Sequence, residues 1–326
     1  MTKKIFTTIT FVIFILNLLH SLLFRLDLNK ILISVINKQE TVEYKILTQI
    51  RIPRTIATHL VGAGLAVVGC VLQSIFLNPL CEGYTLGISS AAGLGVVVST
   101  ILMLPLNRFF SSFFGVLVAM ISIHFLLRLF RRTIDVSFIL SGVVLNFFFS
   151  SIIIILTLFF DPYKTHYVLL WLLGSFSSID TTSILISCTV ILILLVAIVS
   201  YAKQMDIIIL GKEKAITLGV KEQKVKSVLI FICVVICALC VSISGTISFV
   251  GVIVPNVVKS ITGLKHKEWF LTSMFTGSIF ISLCDNLARN LMYPMEIPIN
   301  VLTGILGSIF FIVYILKGNF YGVVKS

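Results

Sequence analysis

The sequence predicts an all-α polytopic membrane protein of about ten transmembrane helices, built as an inverted repeat. Three observations lead there. Of the 326 residues, 58% are hydrophobic and 12% charged, and the mean hydropathy of +1.12 is beyond what a soluble domain carries. Apolar runs of about 20 residues, long enough as helices to cross the hydrocarbon core, recur along the chain. Two small-residue-rich runs with similar endings lie in its two halves. Spans of that length with short loops consume residues 1–326, which therefore read as a single membrane domain.

The first element follows Lys3 and Lys4 as an apolar run to Phe24. It is too long for a secretory signal and no small-residue cleavage site follows, so 4–24 is a first span. Eight more follow at 54–76, 85–105, 109–130, 136–160, 183–201, 227–246, 268–288 and 299–316. Between 227–246 and 268–288 lies Ile247 to Ile261, which is short and interrupted by Gly251 and Pro255, as expected of a broken or re-entrant helix buried in protein. Small residues recur at four-residue spacing, Gly62, Ala66 and Cys70 in the second span and Gly87, Ala91, Gly95 and Ser99 in the third. Such rows let helix backbones approach closely. The second span ends in Asn78-Pro79-Leu80, while the seventh ends in Ser244-Gly245 and runs on to Val254-Pro255-Asn256. Their separation makes the two antiparallel through the membrane, the pattern of an inverted repeat.

The chain has 25 Lys+Arg against 13 Asp+Glu, a net charge of +12. In a membrane protein this marks cytoplasmic loops and contact with lipid headgroups, and nucleic acid is not an expected partner. Placing both termini in the cytoplasm puts most cations inside, from Lys3 and Arg128 to Lys203–Lys226, Lys259 and Lys325. A second cluster, Arg25, Lys30, Lys38, Lys45, Arg51 and Arg54, then falls outside. An anionic partner or headgroup anchoring would account for it. The seven cysteines give no legible disulfide framework. Cys233, Cys237 and Cys240 share a helical face, read as small polarizable packing in preference to a thiolate metal site.

Four segments carry a more specific pattern. Arg51-Ile52-Pro53-Arg54, then Val61 to Ala66 and Gln73 to Leu80, form R-x-P-R, VGAxLA and Q-x-x-x-x-NPL. Trp171 to Phe176 forms W-x-x-G-S; Leu210-Gly211, Ala215 and Leu218-Gly219-Val220 form L-G-x-x-x-A-x-x-L-G-V. Ser244 to Gly251, then Val254-Pro255, looks like G-x-I-x-F-V-G-L-x-x-P-H. In this order, over about residues 51 to 316, the segments resemble the permease subunits of ABC importers for iron-siderophores, haem and vitamin B12, the FecCD family. Asn256 stands where that family usually has His, and Lys259 where it usually has Arg.

The resemblance implies a multi-pass subunit of the bacterial plasma membrane, both termini cytoplasmic. Its implied partners are a second permease (the same or a different chain), two cytoplasmic ATPases and an extracytoplasmic binding protein. It implies a transport subunit and not an enzyme, with no cofactor of its own and ATP on the partner ATPase. The residues agree that this chain has no phosphate-cradling loop, since Gly211-Lys212 is preceded by Asp206 where a glycine is needed and followed by Glu213. Residues 205–226 combine Lys212, Glu213, Lys214, Lys221, Glu222 and Lys224 with apolar Ile207 to Leu210, Ile216 and Leu218. Composition alone allows a solvated positive loop or two short amphipathic helices split at Gly219. The resemblance makes the segment the element coupling ATPase to membrane helices, through Gly211, Ala215, Leu218, Gly219 and Val220.

It further places Arg51, Arg54 and Arg289 against glutamates of the binding protein, and Asn78, Leu80 and Asp135 at a cytoplasmic gate. Asn146 and Ser150, with Gly142, form one stripe; Asn300 and Ser308, with Gly304, form another. Amides are costly in lipid, so these rows either bond between helices or line a cavity; the resemblance favours the path. No protein metal site is implied, because hard ferric iron stays inside its chelator. Ferric siderophore is the expected cargo, with haem or cobalamin as alternatives. An ion-coupled carrier would need buried ionisable residues, of which the spans offer little beyond Asp285. A membrane enzyme would need convergent groups, whereas His20, His59 and His124 are scattered.

Overall fold

The computed structural model describes residues 2–23, 41–102, 110–111, 114–118, 121, 134–160, 162–177, 181–263 and 265–316. Among these there are helices and turns and no strand. The helices are α1 (Thr2–Leu23), α2 (Ile52–Phe76), α3 (Ile88–Ile101), α4 (Ile134–Thr157), α5 (Pro162–Leu172), α6 (Thr181–Ser200), α7 (Ala202–Ile208), α8 (Lys212–Thr217), α9 (Glu222–Ser244), α10 (Val250–Thr262), α11 (His266–Asn290) and α12 (Ile299–Leu316). A short helix, Val42–Lys45, and a π-helical stretch, Ile46–Arg51, lead directly into α2. That run from Val42 to Phe76, with α1, α9, α11 and residues 140–157 of α4, is long and apolar enough to cross a membrane; α6 and α7 make a further span bent by 45°. Most of the expected fourth span, 109–130, lies outside the described residues. The helix at Pro162–Leu172 was not among the expected spans.

The core forms around α2, which packs most extensively on α11 and then on α9, α10 and α6. The small-residue row of the sequence makes this possible. A Cβ on Gly62 would land on the Gly277 backbone of α11, and one on Gly69 on the Gly251 backbone of α10. Close approach of this kind replaces the hydrophobic drive that lipid cannot supply. Gly95 of α3 meets Ser111 and Gly115 in the same way. Cys233, Cys237 and Cys240 are fully buried in α9, with Cys240 against Gly64 of α2, so the row is packing. α1 is laid on α11 by Thr7–Thr272 and Ser21–Ser282 hydroxyl pairs at 3.0 and 2.9 Å. The outward faces of α4 and α6 stay apolar, with Phe147 and Val196 both 71% exposed, as surfaces that meet lipid or another subunit must be.

The short span differs from expectation in one respect. α10 runs unbroken through Pro255. A proline removes the bond to the carbonyl four residues earlier, and here that carbonyl, Gly251 O, accepts instead from Gln73 Nε2 of α2 at 2.9 Å. The break lies earlier, at residues 245–249, where Gly245 and Phe249 both have positive φ. The same order occurs in the first half: α2, a connection entered through Leu77 (φ 49°), carrying a 3-10 turn at Gly83–Leu86 and left through Gly87 (φ 73°), then the short α3. A long helix, a left-handed break and a short helix thus occur in each half.

Candidate functional site

The two breaks are tied to each other. In the first, Asn78 Oδ1 accepts the Leu80 N–H at 2.9 Å, fixing a tight turn. Asn256 of α10 donates through Nδ2 to the Pro79 carbonyl at 2.9 Å. Asn256, the departure from the family pattern, therefore holds the turn that carries Asn78 and Leu80. Glu82 reaches the other way: its Oε1 accepts the Phe249 N–H at 3.2 Å, at the N-terminus of α10. A carboxylate here both satisfies an end N–H and complements the helix dipole. Glu82 is 7% exposed, and it is not among the residues singled out from the sequence. Glu82→Ala removes this acceptor at a buried position and is expected to cost about 1–3 kcal/mol, read as a lower thermal midpoint in detergent. Glu82→Gln, which keeps an acceptor oxygen, is expected to lose less.

The Trp171–Phe176 segment closes the second break from the other side. Gly174 has φ 82°, and a Cβ there would press on the Thr246 carbonyl. Ser175 N donates to Ser244 O at 2.8 Å, Ile299 N to Gly174 O at 3.0 Å, and Asn300 N to Leu173 O at 3.2 Å; the Thr246 hydroxyl donates to Leu172 O. Asn300 Oδ1 then accepts from the Ser248 N–H and hydroxyl at 3.0 and 2.7 Å. Asn300 is thus committed to the break, while Ser308, further along α12, is exposed and bonds back to Gly304 O. On α4, Asn146 Oδ1 is buried without a partner among the described residues. α4 packs mainly on α3, and α12 on α10 and α11, so the two stripes sit on different walls. Asp135 is the second residue of α4, and its side chain lies outside the described residues.

At the opposite end of α2, Arg54 forks onto two acids. Nε and Nη2 donate to Asp285 at 2.8–3.1 Å, and Nη1 and Nη2 to Glu296 at 3.0 and 2.9 Å. Arg289 Nη2 stands 3.2 Å from the other Asp285 oxygen. Arg51 donates to Leu22 O at 3.3 Å, tying α1 to this end. The three arginines expected to act together do share one end of the bundle. They differ in occupation, since the Arg54 side chain is 11% exposed and held inside, while that of Arg289 is 27% exposed.

The segment 205–226 is three helical pieces: α7, α8 and the start of α9, broken at Gly211 (φ 105°) and Gly219 (φ 74°). The expected single break at Gly219 is joined by one at Gly211. At Gly219 the chain makes a left-handed helix stop, with Gly219 N on Ile216 O at 2.9 Å and Val220 N on Ala215 O at 2.8 Å. Ala215 is fully buried, whereas Leu210, Ile216 and Leu218 are 55, 65 and 59% exposed.

These positions can be set against known proteins. The model of the FecCD transport family matches residues 9–317. The chain belongs to the FecCD transport family. Among relatives, it is 32% identical over 288 residues to the iron(3+)-hydroxamate import system permease protein FhuG of Bacillus subtilis, covering 84% of each chain. It is 30% identical over 280 residues to the hemin transport system permease protein HmuU of Yersinia pestis, again covering 84% of each. Its fold is similar to that of a metal-chelate type ABC transporter solved in an inward-facing conformation, with a TM-score of 0.83, 26% identity, and coverage of 95% of this chain and 98% of that one.

Three of the four FecCD segments, scattered in sequence, are thus brought into contact: the Asn78–Leu80 turn with α10, and Trp171–Phe176 with residues 244–246 and the start of α12. Sequence reasoning missed Glu82 and the bonds that Gln73 and Asp206 make. The one signal for Glu82 was a carboxylate in a short loop between apolar spans, which needs a reason.

Proposed function

We propose that this chain is the permease subunit of an ATP-driven ABC importer that takes up ferric siderophore delivered by a binding protein. The observation that carries the reading is the 205–226 segment: short helices bearing exposed Leu210, Ile216 and Leu218 among lysines and glutamates, on a chain whose family is a transport family. Exposed apolar side chains on an otherwise polar segment suit a protein partner, here a cytoplasmic ATPase. Residues 1–326 act as one permease domain with both termini cytoplasmic. It pairs with a second permease copy or homologue, and the rest of the assembly is two ATPases and an extracytoplasmic binding protein docked near Arg51 and Arg289. Asn78 and Leu80, with Asp135, form the cytoplasmic gate, and Asn146, Ser150 and Ser308 face the path. ATP binding and hydrolysis on the partners shift the cavity between states through contacts that differ in each.

The test is copurification and uptake. Tagged chain is expected to bring down an ATPase and a second permease, and cells lacking it to lose uptake of iron from ferric hydroxamate. Loss of haem uptake alone would favour the haem reading, which the 30% identity to a hemin permease supports. Gly219→Glu sharpens the test. A Cβ at Gly219 meets nothing within 4 Å, so the change costs about 1–2 kcal/mol of local backbone strain and leaves the bundle intact. It is expected to abolish ATPase association; intact copurification would remove the segment from the coupling role.

A further inference from the structure

We propose that His266 is a positioning residue that fixes the α7–α8 segment to the gate-side end of α2, so that displacement of the segment is carried to the Asn78–Leu80 turn. This rests on the coupling role of that segment.

His266 opens α11 and is 0% exposed. Its own neighbour at the helix start, Lys265, makes no side-chain cap. The cap comes from α7 instead: Asp206 Oδ1 accepts the His266 backbone N–H at 3.0 Å and lies 2.7 Å from Nδ1. Facing a carboxylate, Nδ1 carries a hydrogen and donates. The opposite ring nitrogen, Nε2, is 2.9 Å from the Ser74 hydroxyl, which is itself 2.9 Å from the Cys70 carbonyl. One imidazole thus joins α7, α11 and α2 in a single line of bonds.

The surroundings make the line stiff. His266 is walled by the Trp269 and Phe270 rings, with centroids 5.8 and 5.4 Å away. Trp269 Nε1 donates to the Pro255 carbonyl of α10 at 2.8 Å, and Lys259 of α10 lies 4.8 Å over the same indole. Ser74 is four residues before Asn78, and α10 holds Pro79 through Asn256. A pull on Asp206 therefore reaches the turn by two routes, through Ser74 along α2 and through Trp269 along α10. Packed elements pass on such shifts because they deform little.

The test separates positioning from general stability. In membranes holding the assembled complex, His266→Ala and Asp206→Ala are expected to lower cargo uptake per ATP hydrolysed by about tenfold. Asp206→Asn, which keeps an oxygen for both N–H donors, is expected to recover most of it. A purely structural role would scale uptake and hydrolysis down together with the amount of complex; an unchanged ratio in His266→Ala overturns the proposal. A second measurement needs no partner. Amide exchange of residues 202–217 in the purified chain is expected to accelerate about tenfold in His266→Ala and to stay close to wild type in Asp206→Asn. Unaltered exchange in His266→Ala overturns the proposal even if the chain proves to serve no ATPase, an outcome that would instead defeat the functional reading.

Discussion

Gly62→Leu is expected to yield no folded protein, while Gly304→Ala, on a neighbouring helix, is expected to be silent. Both positions lie in apolar helices with small residues at four-residue spacing, and sequence alone treats them alike. The structure separates them. A Cβ on Gly62 would fall on the Gly277 backbone of α11, and one on Gly277 would meet Gly62 and Ala66 in return, whereas a Cβ on Gly304 meets nothing within 4 Å. Backbone cannot yield as a side-chain tip can, so α2 and α11 must part. That parting breaks the largest helix pair of the bundle and with it the Ser278 hydroxyl bond to His59 O at 2.8 Å. Overpacking by a single methyl group costs about 1–3 kcal/mol, and a leucine at this contact exceeds that. Gly62→Ala is expected to leave a small residual yield of monodisperse protein in detergent. Normal yield and thermal midpoint for Gly62→Leu would mean that α2 and α11 do not touch here.

The same pair shows how far the sequence could be read. The row of Gly62, Ala66 and Cys70 was visible, because close helix packing leaves a periodic trace on one strip of chain. Its partner was not, because nothing in residues 266–290 says which strip they face. Spans, the short helix near Gly251 and the chain break at Gly219 were legible for the same local reason. Glu82, Gln73 and the Asp206–His266 pair were illegible: each is a single polar residue whose meaning is a bond to a distant one. Gln73 was seen as part of a motif, yet its physical task is to satisfy the carbonyl that Pro255 orphans, and that becomes visible only when α2 and α10 are side by side. Arg54 and Asp285 show the limit most clearly. Arg54 was noted as an outer cation seeking an anion and Asp285 as a lone acid near a span end. Each is the other's answer.

That pairing changes what a substitution at Arg54 should do. Asp285 has a side chain 3% exposed, held by Arg54 at 2.8 Å and by Arg289 at 3.2 Å. Removing Arg54 strands a buried carboxylate, and breaking a buried pair from one side costs about 3–5 kcal/mol. Arg54→Ala is therefore expected to lower the thermal midpoint strongly and to reduce the amount of folded chain. Arg54→Lys is expected to recover little, because one ammonium cannot reproduce a fork onto both Asp285 and Glu296. The double change Arg54→Met with Asp285→Leu, which removes both charges together, is expected to be more stable than Arg54→Ala alone. Arg51 behaves differently: it donates to the Leu22 carbonyl at 3.3 Å, at the end of α1. On the docking role proposed for it, Arg51→Glu is expected to keep the fold and lose uptake, since reversing such a charge acts on encounter and orientation. An Arg54→Ala protein with an unchanged midpoint would return Arg54 to the docking surface; an Arg51→Glu protein with full uptake would take Arg51 off it.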